Sequence, residues 1–462
     1  MPFDIVTNGY VPVNDPLVKQ NLERWQDLKF GLMMHWGTYS QIGILESWSL
    51  CSEPEDWIHR PHENYEEYKK YYRSLINTFN PEELDPQKWA KAAKAAGMRY
   101  VIPTTKHHDG FCMFDTKQTE YKITSGSCPF HKNPHADITR ALFDAFRDED
   151  FMIGAYFSKP DWDCEYYWWP YYATPDRHVN YNPAKHPDRW DKFKKFTFNQ
   201  IEELMRNYGK IDFLWLDGAW VQPLKNLPRE YESWAKKLDW DQDIDMDSIV
   251  RNARKYQPGL IVVDRWSPGP NENYLTPEQK IPPKALEIPW ESCITMTEGW
   301  SYEPHHTCKP ARQLIHMLIE IVAKGGNLLL NIGPKPDGTW IDEAYDRLEK
   351  IGAWININGE AIYDSKPIPP FRDGKICLTQ NKNDKTVYAI YLADEDEKMP
   401  PRKIRLNSIQ PALDAKLNLL GIKESLKFEK IGKGCIIELP EMSLELLPCK
   451  YAWTVRISKI IE

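Results

Sequence analysis

Short runs of apolar, β-branched and aromatic residues recur along most of the chain, and most of them end in a polar group. The runs are KFGLMMHWG (29–37), RYVIPTTKHHDG (99–110), FMIGAYFS (151–158), IDFLWLDG (211–218), GLIVVDRW (259–266), EIPWESC (287–293) and GGNLLLNIGP (325–334). Strands buried on both faces read in this way, and helical periods separate many of them. LDPQKWAKAAKAAGM has a Pro-containing first turn and a closing Gly97. PHADITRALFDAFRDED, DRWDKFKKFTFNQIEELMRNYG and PARQLIHMLIEIVAKGG follow the same plan. The alternation predicts an α/β protein with a parallel sheet covered by helices. Seven such strands over about 330 residues fit a (β/α)8-like, TIM-type barrel with one strand irregular or unrecognised. An open doubly wound sheet would show a glycine-rich phosphate turn after its first strand, and HWGTYSQIG provides none.

The last hundred or so residues change character. KICLTQ, KTVYAIYLAD, RKIRLNSI, AKLNLLGI, SLKFEKI, GCIIELP and YAWTVRISKI are short strands broken by turns at a spacing of about ten residues, the pattern of an antiparallel β-sandwich. The Pro-containing connector YDSKPIPPFR (363–372) places the boundary, giving a barrel domain over 1–362 and a C-terminal β-sandwich over 363–462. Residues 160–190 form a long loop with seven aromatics among the eleven positions 162–172, too aromatic for disorder and too irregular for an element.

Charge and cysteine usage exclude several classes. A formal net charge of −8 argues against a general nucleic-acid binder or an anionic-membrane binder. No apolar run approaches the roughly 18–20 residues of a membrane span. The nine cysteines are scattered without Cys-x-x-Cys spacing, so buried free thiols are expected rather than a disulfide framework or a zinc site. The opening MPFDIVTNGYVPV lacks a basic and an apolar signal region, which fits a cytoplasmic protein or an exported one whose leader has been removed.

The active site of a parallel barrel sits at the C-terminal ends of its strands. The side chains ending the runs are His35, His107, His108, Asp109, Tyr156, Asp217, Arg265, Glu291 and Asn331. One such residue marks only where a strand stops; many converging on one mouth describe a polar pocket, and with nearby Trp residues they suit a sugar. A metal centre is not expected: no His-x-His or His-Glu-x-x-His spacing occurs, and adjacent strand residues such as His107 and His108 point to opposite faces. A lone Asp at a strand end more often caps the next helix, but Trp215, two residues before Asp217, shares its face. Glycoside cleavage needs a second carboxylate, and Glu272, Glu278 and Glu291 lie downstream.

With these residues in view, KFGLMMHWGTYS, ESW, TKHHDGFCMFDTKQTEY, DFLWLDG, VVDRW, PWESC followed by GWSY, and LLLNIGPKPDGTW stand in an ordered series, with YAWTVRI near the end. From about Trp25 to the C-terminus the sequence resembles the α-L-fucosidases of glycoside hydrolase family 29. The resemblance implies a retaining exo-glycosidase that releases terminal α-linked L-fucose, with Asp217 as the nucleophile that forms a covalent glycosyl intermediate. It implies sugar-binding roles for His35, Glu46, Trp48, His107, His108, Tyr156, Trp215, Arg265 and Trp300. The general acid/base varies in position within this family. Glu278 in YLTPEQ is the first choice, on a Pro-flanked loop expected to swing its carboxylate toward the nucleophile. Glu291 is the alternative or an orienting carboxylate, and Glu272 comes last, as a solvated loop residue. The acid should titrate high and Asp217 low. The competing readings are an α-L-galactosidase or related glycosidase on the same scaffold, and an inactive sugar-binding protein. No cofactor and no metal are implied. The expected partner is a fucosylated oligosaccharide or glycoconjugate, and self-association stays open.

Overall fold

The computed structural model describes residues 7, 9–52, 60–174, 176–227 and 239–461. Seven parallel strands form one sheet: β1 (Phe30–Met34), β2 (Tyr100–Lys106), β3 (Met152–Ser158), β4 (Phe213–Asp217), β5 (Ile261–Asp264), β6 (Glu291–Thr295) and β7 (Asn327–Asn331). Their order is β5-β4-β3-β2-β1-β7-β6, so each of the seven sequence runs supplies one strand and β5 and β6 stand at the two ends. Residues 271–279 fill that seam. Asp264 N donates to Asn271 O (3.0 Å) and Asn273 N to Val262 O (2.9 Å) on one side. On the other, Glu291 N donates to Leu275 O (2.8 Å), Cys293 N to Pro277 O (3.2 Å) and Gln279 N to Cys293 O (2.9 Å). The missing eighth strand is this Pro-interrupted segment, which bonds like a stave without running like one.

The helices start where their sequences predict. In α3 (Pro86–Ala95), which follows α1 (Pro16–Leu28) and α2 (Tyr65–Ser74), Asp85 caps Lys88 N at 2.9 Å, Pro86 opens the first turn, and Gly97 at φ +90° closes the end. Asp137 likewise caps α4 (Ile138–Asp148), a proline opens α5 (Pro187–Asn207), and Pro310 precedes α7 (Ala311–Ala323). The stretch 222–256 yields α6 (Met246–Tyr256) at its end, while its middle, 228–238, lies outside the described residues. The final barrel helix is α8 (Asp342–Asn358). No helix among the described residues is long and apolar enough to cross a membrane.

Alternation along the strands turns Met33, Tyr100, Ile102, Tyr156, Trp215, Val263, Cys293 and Leu329 into the barrel, where they pack with Leu22 and Trp25 of α1. Trp25 stacks on Tyr274 of the seam (4.0 Å between rings, 22° between planes) and plugs the floor. The floor also holds Glu291, whose carboxylate accepts from Tyr100 Oη (2.6 Å) and Tyr274 Oη (3.2 Å).

The C-terminal part consists of a five-stranded and a three-stranded sheet, both antiparallel: β8 (Ser365–Asp373), β9 (Ile376–Asn381), β10 (Val387–Leu392), β12 (Leu417–Leu419) and β15 (Ala452–Ile457) in the order β12-β15-β10-β9-β8, and β11 (Lys403–Leu406), β13 (Lys427–Ile431) and β14 (Gly434–Glu438) in the order β11-β14-β13. Leu378, Val455, Ile404 and Ile437 pack between the sheets, making a sandwich. One feature differs from the sequence reading: the Pro-rich connector is itself strand β8. It lies at the sheet edge with a register shift between Pro367 and Arg372, where missing N–H groups cost no ladder bonds. The outer face of the larger sheet lies on α7 and α8, with Trp354 Nε1 donating to Ala452 O (3.0 Å).

Gly31 of β1 leaves room for the Tyr100 ring, and a β-carbon there would stand 2.3 Å from it. Because Tyr100 is pinned to Glu291, Gly31→Ala should destabilise the barrel by about 1–3 kcal/mol. A melting temperature equal to the parent's would show that the ring swings aside.

Candidate active site

The C-terminal strand ends open into a cavity of about 790 Å³. Asp217 closes β4, and period-2 alternation puts Trp215 on the same inward face. Tyr156 of β3 stacks on Trp215 (5.3 Å, 24°) and donates its hydroxyl to Asp217 Oδ2 at 2.8 Å. Gly218 N donates to Asp217 Oδ1 at 2.8 Å, and Arg265 Nη1 reaches the same oxygen at 3.3 Å. The other arm of that guanidinium, Nη2, pairs with Glu278 Oε2. One buried cation therefore spans both carboxylates.

Arg265 is held in turn. Its guanidinium lies over Trp266 (4.1 Å) and Trp215 (5.2 Å). Trp266 sits at φ +59°, a conformation supported by Glu272 Oε1, which accepts from Trp266 N at 2.9 Å. Behind it, Lys159 Nζ donates to Asp264 Oδ1 at 2.6 Å, a fully enclosed ion pair joining the ends of β3 and β5.

Three buried histidines line the cavity next to these groups, with His108 Nε2 3.9 Å from Asp217 Oδ2. His35 Nδ1 pairs with Asn331 Oδ1 (2.8 Å), His107 Nδ1 with Ser47 Oγ (2.5 Å), and His108 Nδ1 with Ser158 Oγ. Burial pushes His35 down to about 4, His108 to about 3 and His107 well below its usual value, so all three are neutral imidazoles. Burial also pushes the Glu46 carboxyl up to about 8, making it a neutral donor near pH 7, and its Oε2 is enclosed without a protein partner. Asp217 goes the other way. Burial raises it, but Arg265, His108, Tyr156 and the Gly218 N–H outweigh that and bring it to about 2.

The structure brings His35, Glu46, Trp48, His107, His108, Tyr156, Trp215, Asp217, Arg265, Glu278 and Trp300 to one cavity. Glu291 is a correction. Its run reads as ending in Glu, but the strand starts there and continues to Thr295, so the carboxylate lies in the floor rather than at the mouth. Burial raises it to about 7 against the Tyr100 and Tyr274 hydrogen bonds. Glu272 is buried as well, not solvated, and burial raises it to about 8. Glu278 is on no swinging loop: flanking backbone bonds pin it to β6. The expected divergence of His107 and His108 also fails, because β2 ends at Lys106 and the turn beyond it places the two rings 4.3 Å apart. With Asp217 they present ligand atoms within 4.8 Å of one another, but Tyr156, Gly218 and Arg265 already occupy the carboxylate.

Arg177, Trp220, Gln279 and Glu298 also line the cavity and were not singled out by sequence. Only Trp220, in DGAW, carried a local signal. Arg177 comes from the aromatic loop, with its guanidinium 4.7 Å from Trp48 and 5.3 Å from Trp220. In that loop Trp162 and Trp168 stack on each other (5.2 Å, 4°).

Residues 4–360 match the family model described as Alpha-L-fucosidase, and residues 371–458 match the one described as Alpha-L-fucosidase C-terminal domain. Tissue alpha-L-fucosidase of Mus musculus is 28% identical, covering 98% of this chain and 95% of that protein. Alpha-L-fucosidase isoenzyme 1 from Paenibacillus thiaminolyticus is 28% identical and superposes with a TM-score of 0.75, over 96% of this chain and 100% of that one. Thermotoga maritima alpha-fucosidase in complex with a mechanism based inhibitor is 25% identical with a TM-score of 0.73, over 97% of this chain and 100% of that one.

The neutral wall is testable by ring ¹⁵N shifts of histidine-labelled protein. At pH 5.5, His35, His107 and His108 should remain neutral. Their folded pKa values lie below the unfolded value of about 6.5, so the unfolded chain binds protons first and stability should fall as pH drops below about 6.5. Any of the three titrating near 6.5 would contradict the burial argument.

Proposed function

The chain belongs to the α-L-fucosidase family of glycoside hydrolases, and from that premise we propose that it releases terminal α-linked L-fucose by a retaining double displacement between Asp217 and Glu278. The observation that carries this reading is the Arg265 guanidinium bound to both carboxylates at once. In the first step an Asp217 oxygen bonds to the anomeric carbon while the glycosidic C–O bond breaks, and Glu278, having taken up a proton at the cost of its pairing with Arg265, gives that proton to the departing oxygen. In the second, Glu278 takes a proton from water, the water oxygen bonds to the anomeric carbon, and the Asp217 ester bond breaks.

Asp217 suits attack because Arg265, Tyr156 and Gly218 keep it ionised in a buried site. Glu278, with its side chain 29% exposed, faces the side from which water and the aglycone exchange. Neutral imidazoles and the neutral Glu46 carboxyl suit recognition of hydroxyl groups, since neither imposes an unpaired charge on an uncharged sugar. Trp300, 5.0 Å from His35, and Leu45 supply an apolar surface on the sugar side. Such a surface favours a methyl over a hydroxymethyl at the sugar's C6 by only about 1–3 kcal/mol, so an α-L-galactoside should be a slower substrate rather than an excluded one.

The test is hydrolysis of p-nitrophenyl α-L-fucoside beside the α-L-galactoside, with the first-formed anomer read by NMR. The fucoside should be preferred and α-L-fucose should appear first; β-L-fucose first would overturn retention, and preference for the galactoside would move the substrate. Asp217→Asn should lower kcat on the order of 10⁴-fold. Glu278→Ala should lose least on activated aryl fucosides, and azide should rescue it with an α-fucosyl azide product. Rescue giving the β-azide would exchange the two roles.

A further inference from the structure

A second cavity, of about 650 Å³, opens between α2 and the aromatic loop. Trp48 lines the catalytic cavity and Trp162 lines this one, and their rings stand 5.5 Å apart. The Trp162–Trp168 stack forms one wall. At its rim Tyr171 and Tyr172 are 77% and 42% exposed, with ring centroids 5.0 Å apart, and Trp169 backs Tyr172 at 5.3 Å. Exposed aromatics clustered on one rim are unusual for a surface with nothing to bind.

The charged lining mixes signs, with Glu66, Asp109 and Asp163 beside Lys69, Lys70 and Arg73, and burial raises both Asp109 and Asp163 to about 7. Most of these groups are already paired. Arg73 Nε meets Asp163 Oδ1 at 2.9 Å, Lys69 Nζ meets Glu66 Oε1 at 2.9 Å, and Tyr72 donates to Asp109 Oδ2 at 2.7 Å on the floor. Pairing of this kind leaves no dense cluster of one sign to select an ionic ligand. The cavity does offer donors and acceptors side by side, as vicinal hydroxyls require, next to aromatic faces that suit the C–H face of a sugar ring.

We propose that this cavity is an accessory binding site for a neutral oligosaccharide, distinct from the fucose pocket and separated from it by the Trp48–Trp162 pair. Its biological sense rests on the glycosidase reading above. Anchoring a distal part of a glycan there raises the local concentration of its fucosyl ends at the catalytic cavity, without any change in the chemistry.

Calorimetric titration of the full chain with fucose-free tetrasaccharides of hexose and N-acetylhexosamine units, with and without excess L-fucose, tests the site. Binding should persist in L-fucose and weaken about tenfold in Tyr171→Ala/Tyr172→Ala, the loss of roughly one stacking contact. The same variant should keep kcat/KM for p-nitrophenyl α-L-fucoside within about twofold and raise KM only for long fucosylated glycans. Absence of binding, complete displacement by L-fucose, or an affinity unchanged in the double variant would each overturn the proposal. Failure of the parent protein to cleave the aryl fucoside would instead count against the fucosidase mechanism, leaving the titration to decide the accessory site by itself.

Discussion

The arrangement of the site depends on one buried guanidinium. Arg265 must be desolvated to lie between Trp215 and Trp266, a position that costs several kcal/mol for a lone charge. Its pairing with Asp217 and Glu278 offsets that cost, and in the same act it fixes two carboxylates that would otherwise repel. Neighbouring structure serves this pairing. The Lys159–Asp264 pair ties the ends of β3 and β5, Lys159 N donates to Asp217 O at 2.9 Å, and Glu272 holds the Trp266 turn. Removing one member of such a set exposes the others as unpaired buried charges, so these residues act as a unit.

The same constraint explains the irregular seam. A regular eighth strand alternates its side chains between the lumen and the helix layer. The segment 271–279 instead borrows bonds from β5 and β6, and with Pro277 and a left-handed Gln279 (φ +52°) it brings Glu278 out at the mouth beside Arg265. Regularity at that one stave is given up for the position of one carboxylate. The lower part of the segment still does the work of a barrel strand, because Tyr274 fills the floor against Trp25 and Glu291.

The parallel strands and the sandwich were legible because they rest on periodicity: apolar strands of four to seven residues with helical spacers have few other ways to be buried. Asp217, Trp215, Tyr156 and Arg265 were legible because a strand end in a barrel fixes where a side chain points. Glu291 shows the limit of that rule, since a polar residue at the edge of an apolar run marks a strand's start as readily as its end. His107 and His108 show another, because alternation says nothing once the strand has turned at Lys106. Arg177 reaches the cavity only through the tertiary course of the 160–190 loop, which has no period to read. The prolines of β8 pointed to a connector because their local cost is plain in sequence, whereas the edge position that tolerates them is not.

Burial alone would treat all ionisable groups of the cavity alike, driving each to its neutral form. His35 follows that rule: a fall from 6.5 to about 4 disfavours its imidazolium on the order of 3 kcal/mol. Glu46 follows it too, as a carboxyl that keeps its proton near neutral pH. Asp217 escapes because Arg265, His108, Tyr156 and the Gly218 N–H together outweigh the burial. The fixed partners of each group, and not burial alone, thus set which side chains of the cavity carry charge. Asp217 and Arg265 carry charge, while His35, His107, His108 and Glu46 are held as neutral donors and acceptors.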